Sequence, residues 1–543
     1  MGSSKGVTFL RDATGLVRQV GAFDSWIYGV MAISLGFGIA LVFTLGPATF
    51  PGGSILLAIA IFAALMIFKD FLYAQMGTAM PRSGGEYVFQ ARSMSFMSFW
   101  PIGNQISYNV LWQGCIYQSL TATAIGTFAI IPLLYSVGLV TSNAGMLSAA
   151  VWLGTPIGTY VTILVIAGIS IMIAAFSIKF YMEKFQRTIF VVGMIQIAVI
   201  FWLLLTSDQA TFISRFNTFA QPFFNQADSY HYVISQAQSL GLGTEPFWIA
   251  TIGLMAFIAF GLIWSHWIIH NFGEVKKAGD LKLYSWVFIG GTLFCAAITL
   301  ALAEELIRVC GMPFLTAIGY LAFMQPQAYL LPVQPFHTFL VGILTTSVPV
   351  LVIINVGMIC WCIQPATNID VGMSRLVLAL AFDRILPAKL GEVSDRFHTP
   401  LNALLFFYIV GAVIMGALVA FLGFAAAFTG AVLAQIFSYA TSGLAGVLFP
   451  YVRKEVFKAS PSAKWMIGPI PFVTICGLVT FIGQALLFWA FFAVPGVGIT
   501  DPRALGVVFA LIIGSIIYYE AVKAYRKSQG MDLNLLLTSI PPE

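Results

Sequence analysis

The chain has 543 residues, 59% of them apolar and only 9% charged, where a soluble domain carries roughly 25% charged residues. At a mean hydropathy of +0.92, no water-soluble fold could hide that much apolar surface. The net charge of +5 needs no nucleic acid to explain it.

Segments of about 20 apolar residues recur along the chain, each long enough to cross a hydrocarbon core of roughly 30 Å at about 1.5 Å per helical residue. They predict an all-α integral membrane protein with about twelve transmembrane helices, near 26–46, 54–80, 98–125, 157–178, 188–206, 247–271, 284–306, 339–371, 401–421, 426–450, 469–491 and 505–522. The first stretch is a full-length span followed at once by another, so it reads as a span and not as a cleaved signal peptide. With the N-terminus inside, 22 of the 26 Lys and Arg residues fall in cytoplasmic segments, while Arg215, Arg308 and Arg503 lie on the other side and Lys69 within a span. That is the expected positive-inside bias, and both termini are expected in the cytoplasm. The scattered cysteines, including Cys360 and Cys362 within one span, form neither a disulfide framework nor a zinc knuckle and read as packing residues.

In chain order, the first informative span is the first. It reads Gly29-Val-Met-Ala-Ile-Ser34-Leu-Gly36-Phe-Gly38, and span six, which opens the second set of five, reads Phe257-Ile-Ala-Phe260-Gly261-Leu-Ile-Trp264-Ser265. Glycine-interrupted segments at corresponding places in two halves point to an inverted repeat with a binding site at mid-membrane, where an unwound turn offers N–H groups to a carboxylate and carbonyls to a cation or ammonium. The alternative is that the glycines only allow close helix packing.

Span two carries Lys69 and Asp70. Neighbours on a helix point about 100° apart, so the two are expected to find separate partners, either in ion pairs with adjacent helices or in coupling. Span three carries Asn104, Tyr108 and Trp112 at i, i+4 and i+8, with Gln105, Asn109 and Gln113 beside them. A polar stripe in lipid must line a cavity or hydrogen-bond across helices. The polar interval 207–245 reads as an outer loop lying against the membrane. In span six, Phe257, Phe260 and Trp264 are either packing or gating aromatics. His266 and His270, spaced i, i+4 at its end, lack accompanying ligands and read as interfacial, and Glu304 and Glu305 at the end of span seven read as a solvated rim.

Three stretches resemble the amino acid, polyamine and organocation superfamily of transporters. They are Pro81-Arg82-Ser83-Gly84-Gly85-Glu86-Tyr87 after span two, Glu274-Val275-Lys276 after span six, and Ser374-Arg375 through Ala379, Ala381, Asp383 and Leu386-Pro387 after span eight, with Thr399-Pro400 opening span nine. The approach to span one, Gly21-Ala-Phe-Asp24, also fits. The resemblance covers roughly residues 15–450 and implies a LeuT-like five-plus-five inverted repeat (25–206 and 246–450) with discontinuous spans one and six. Two C-terminal helices (451–522), a cytoplasmic N-terminus (1–24) and a cytoplasmic tail (523–543) complete the chain. It also implies transport of amino acids or close derivatives across the cell membrane by symport or antiport. Span six has Leu262 where members often carry an acid, which argues against a polyamine, and span five offers Gln196 where some proton-coupled members carry a lysine.

On this reading the substrate-binding candidates are Ser34, Gly36, Gly38, Asn104, Tyr108, Trp112, Phe257, Phe260 and Gly261, and the ion-coupling candidates are Asp370, Thr367, Asn368 and Lys69. Asp370 lies 17 residues before Pro387, the depth at which the family places its substrate and second sodium site. Pro365 frees a helical carbonyl nearby, and Thr367 and Ser374 fall near the same face. That set of oxygens could ligate sodium or, in a dry site, Asp370 could carry a proton; the alternative is a static salt bridge, for example to Lys69. No enzymatic activity, metal or cofactor beyond a coupling H+ or Na+ is expected. A membrane redox or proton-pumping subunit would need haem or quinone ligands that five scattered histidines do not supply, and a channel would need a repeated filter segment.

Overall fold

In lipid a backbone N–H or C=O without a partner costs several kcal/mol, so an apolar chain of this kind has little choice but to be helical. The computed structural model describes residues 16–421, 423–493 and 502–540, and helix occupies every expected span, although the eighth, expected over 339–371, is interrupted at 343–347 and its long helix runs Val348–Phe382. Ten helices among the described residues are long and apolar enough to cross a bilayer. Two shorter apolar helices, Phe247–Leu262 and Leu401–Phe421, occupy the places of spans six and nine. Local chemistry sets the helix starts. Ser54 accepts from the Leu57 N–H at the start of span two, Thr155 precedes Pro156 at the start of span four, and Asp280 caps span seven.

Spans one and six are broken as expected. Span one consists of Ala22–Ile33 and Phe37–Thr49, separated where Ser34 adopts the left-handed conformation at φ 55°. Span six runs as an α-helix only over Phe247–Leu262. An unwound stretch, 263–266, then leads into two 3₁₀ turns, Trp267–His270 and Phe272–Glu274. Span three is a continuous run, Phe99–Val140, but its middle, Ile106–Tyr117, is π-helical.

Two expectations are corrected. The segment 207–245 is not a loop on the membrane: it folds into helices Gln209–Phe224 and Ser229–Ser239, capped by Asp208 and Asp228. Its aromatics pack on protein, with Phe216 edge-on to Phe314 at 4.8 Å between ring centroids. His266 and His270 are not interfacial either. Both are fully buried, because the loop after span two covers them: Gly84 N–H donates to the His270 carbonyl at 2.9 Å and Ser83 bridges to Asn271.

The motif residues meet on one side of the helix bundle. The strand-like approach to span one pairs with the segment after span six, Val20 beside Val275, with Lys276 N–H donating to the Val20 carbonyl at 2.9 Å. Arg375 at the end of span eight grips Glu274 with Nε at 2.8 Å and a second nitrogen at 3.3 Å. Arg92, on helix Glu86–Ser93, reaches Asp383 at 2.6 Å, and Asp383 also accepts from Tyr87. Arg187 of span five holds Asp24 bidentately at 2.7 and 2.9 Å. Arg375 and Glu274 are only 1% and 2% exposed, so removing one partner strands a buried charge. Arg375→Met is expected to destabilise the purified protein by about 3–5 kcal/mol, read as a lowered melting temperature. Most of the loss should return when Glu274→Met is added, and an unchanged melting temperature in the single variant would contradict the assignment.

Candidate functional site

Span eight, Val348–Phe382, passes the break of span one with a proline in its middle. Pro365 has no N–H to give the carbonyl four residues earlier, that of Trp361. The Ser34 hydroxyl supplies the missing donor at 2.6 Å. One defect in span eight is thus satisfied by the break in span one. Gly36 lets the two helices close: a Cβ there would stand 2.7 Å from both Met358 Sδ and Trp361 Cβ. Gly38 does the same for span six, since its Cβ would stand 2.9 Å from Gly261 Cα.

Between these breaks lies a cavity of about 20 Å³ lined by Ala32, Ile33, Gln113, Tyr117, Trp264, Trp267, Pro365, Asn368 and Ile369. Its walls therefore come from spans one, three, six and eight. Trp264 and Trp267 meet at 5.0 Å, edge to face, and Trp264 lies 6.0 Å from Tyr117. The space is about that of a water molecule, so an amino acid fits only after these rings move. The lining side chains are neutral: aromatic, aliphatic or carboxamide.

Asn368 belongs to this cavity and also ties span eight to span one. Its carbonyl accepts from Tyr28 at 2.9 Å, its side-chain oxygen accepts from Tyr181 at 2.6 Å, and its side-chain amide exchanges two hydrogen bonds with that of Gln364. The π-helix in span three rearranges the expected stripe. Asn104 donates to Thr441, Tyr108 packs on Tyr439, and Trp112 presses on Gly430, all toward span ten. Gln113, which donates to Tyr108 at i, i+5, and Tyr117 are the span-three residues at the cavity. Ser34, Gly38 and Gly261 line a second, smaller cavity between spans one and six. Phe257 sits edge-on to Phe50 at the far end of span one, 6.1 Å between centroids. The side chain of Phe260 lies outside the described residues.

The coupling candidates separate into two places. Asp370 is fully buried, accepts from Ser170 at 2.5 Å and from Gln118 at 3.3 Å, and its Oδ1 has no hydrogen-bond partner among the described residues. Thr367 pairs with Tyr181 and Ser374 bonds the Val371 carbonyl, so neither oxygen joins Asp370, and the carbonyl freed by Pro365 belongs to Ser34. Lys69 does not bridge to Asp370. It forms an ion pair with its own neighbour Asp70 at 2.6 Å, against the expectation that adjacent residues could not pair: the four-carbon Lys stem spans the 100° offset. Lys69 also donates to the Ile263 carbonyl at 2.7 Å and the Ser265 hydroxyl at 3.1 Å, on the unwound part of span six.

The Ser34 hydroxyl and Pro365 act as a unit. Ser34→Ala is expected to cost about 1–3 kcal/mol by leaving the Trp361 carbonyl unpaired. The double variant Ser34→Ala/Pro365→Ala, which restores a backbone donor, should be the more stable of the two; strictly additive melting shifts would refute the link.

A search of curated proteins returned no match. A family model described as amino acid permease matches residues 25–517, which takes in span six, all but the first turn of span one, every wall of the cavity and two of the three motif ion pairs, Asp24 of the third standing just before it. The chain therefore belongs to the amino acid permease family.

Proposed function

We propose that the chain is a secondary active transporter that carries an amino acid with a neutral, apolar or aromatic side chain across the cell membrane by alternating access. Its twelve spans form a five-plus-five inverted repeat and two further helices, with both termini in the cytoplasm. The observation that carries this is the cavity enclosed between two helix breaks at matching places in the first and sixth spans. Backbone groups exposed at such breaks suit the two charges of a zwitterion, and a neutral wall disfavours a charged side chain. The constricted volume supports a closed state, in which Trp264 and Trp267 must part to admit the substrate.

Coupling is assigned to Asp370. An ionised carboxylate with no cation beside it is costly in the membrane interior, and a proton on its unpartnered oxygen removes that cost. Proton symport or antiport is therefore favoured over sodium.

Two measurements test this. In a thermal-shift screen, leucine- or phenylalanine-like substrates should stabilise the purified protein by RT ln(1 + [L]/Kd), about 2.7 kcal/mol at a hundredfold excess over Kd. Lysine and glutamate should have no effect, and Trp264→Ala should lose the response. In liposomes, Asp370→Asn should retain substrate exchange but lose pH-driven uphill accumulation. Accumulation equal to that of wild type would reject the coupling role.

A further inference from the structure

The unwound stretch of span six has two sides. Trp264 and Trp267 face the cavity, while Ser265 and His266 between them reach span two. There Lys69 Nζ lies 3.0 Å from His266 Nδ1, and His266 Nε2 faces Glu86 Oε1 at 3.5 Å. Glu86 opens the helix that follows the motif loop, and all four of Asp70, Lys69, His266 and Glu86 are at most 1% exposed.

We propose that these four residues form a buried proton-binding site, distinct from Asp370, in which Glu86 holds one exchangeable proton that reaches it from Lys69 through His266. This concerns proton binding by the folded chain and does not depend on which molecule is transported.

The geometry fixes the direction of the relay. An ammonium only donates, so Nδ1 of His266 must accept from Lys69 and the ring proton sits on Nε2, toward Glu86. When Lys69 transfers a proton to Nδ1, Nε2 releases its own to Glu86 Oε1. One N–H bond forms and one breaks on the ring, leaving a neutral lysine, a neutral acid and the other histidine tautomer. The ring must then return to the Nε2 tautomer, by turning over or by exchanging its Nδ1 proton, before Lys69 is recharged by the next proton.

Charge counting calls for the same proton. Two carboxylates stand against one ammonium, with a neutral histidine between, which leaves a net negative charge in the membrane interior unless one more proton is bound. The titratable neighbours on the packed elements are Tyr73 of span two, Tyr108 of span three, Tyr439 of span ten and His270 of span six. None of them supplies a compensating cation. Glu86 accepts from Tyr73 at Oε1, 2.7 Å, and from Ser438, Gln105 and Asn109 at Oε2, 3.1, 3.4 and 3.4 Å, all of them neutral donors.

The relay also acts on the break. Asp70 is held by the Ser265 and Thr292 hydroxyls at 2.6 Å each, and Lys69 by Asp70 and the Ile263 carbonyl. Each time Lys69 gives up its proton it loses its charge against Asp70, and its hold on the Ile263 carbonyl weakens. Proton passage and loosening of span six are one event.

Acid-induced infrared difference spectra of the purified full chain in lipid nanodiscs test the site without any amino acid present. Wild type carrying ¹³C-glutamate is expected to gain, on acidification, a labelled carboxylic-acid band that exchanges slowly in D₂O, the mark of a buried acid. Glu86→Gln should remove it and Asp370→Asn should leave it. His266→Gln should preserve its final amplitude but slow its appearance after a pH jump by about a hundredfold. Absence of a slowly exchanging band in labelled wild type overturns the proposal even if Glu86→Gln does not fold, as does a band that survives Glu86→Gln or forms at the wild-type rate in His266→Gln.

Discussion

Every helix break in this protein must be satisfied from within, because hydrocarbon offers no hydrogen bonds. The rest of the architecture follows from how that is done. The Trp361 carbonyl left over by Pro365 is taken by Ser34, and the Ile263 carbonyl at the end of the first half of span six is taken by Lys69. Each break is therefore tied to a neighbouring span by a specific donor, span one to span eight and span six to span two. The glycines around the breaks bring backbones close enough for those donors to reach. The close packing that the sequence allowed for is present at Gly36 and Gly38.

The spans and the two discontinuities were legible because composition and glycine placement act locally, residue by residue. What the sequence hid depends on partners far along the chain or on a changed helical period. Counting at 3.6 residues per turn puts Asn104, Tyr108 and Trp112 on one face, which they do share, but the π-helical turns decide that this face meets span ten and that Gln113 and Tyr117 meet the cavity. Likewise the angle between adjacent residues argued against a Lys69–Asp70 pair, and the length and flexibility of a lysine side chain overrode it. Glu86 was visible only as part of a motif; its burial among spans two, three, six and ten is a tertiary fact that no local pattern encodes.

The motif residues have a physical reason to be where they are. Asp24 with Arg187, Glu274 with Arg375 and Asp383 with Arg92 join the ends of spans one, five, six and eight and the helix after span two. Two of these three opposite-charge contacts are almost fully buried, and separating either would expose charge in a low-dielectric setting.

Charge is also segregated within the core. Apart from the motif ion pairs, Lys69 and Asp70 lie on the span-two side of the broken span six and Asp370 between spans three, four and eight, while the cavity wall is neutral. A zwitterion placed there would meet its compensating charges as backbone dipoles at the two breaks and as the amide groups of Gln113 and Asn368. Asn368 is already committed to Tyr28, Tyr181 and Gln364, and Tyr28 belongs to the first half of span one. Any substrate group that competes for Asn368 must loosen the joint between spans one and eight, so that occupancy of the cavity is felt at the span-one break by direct contact.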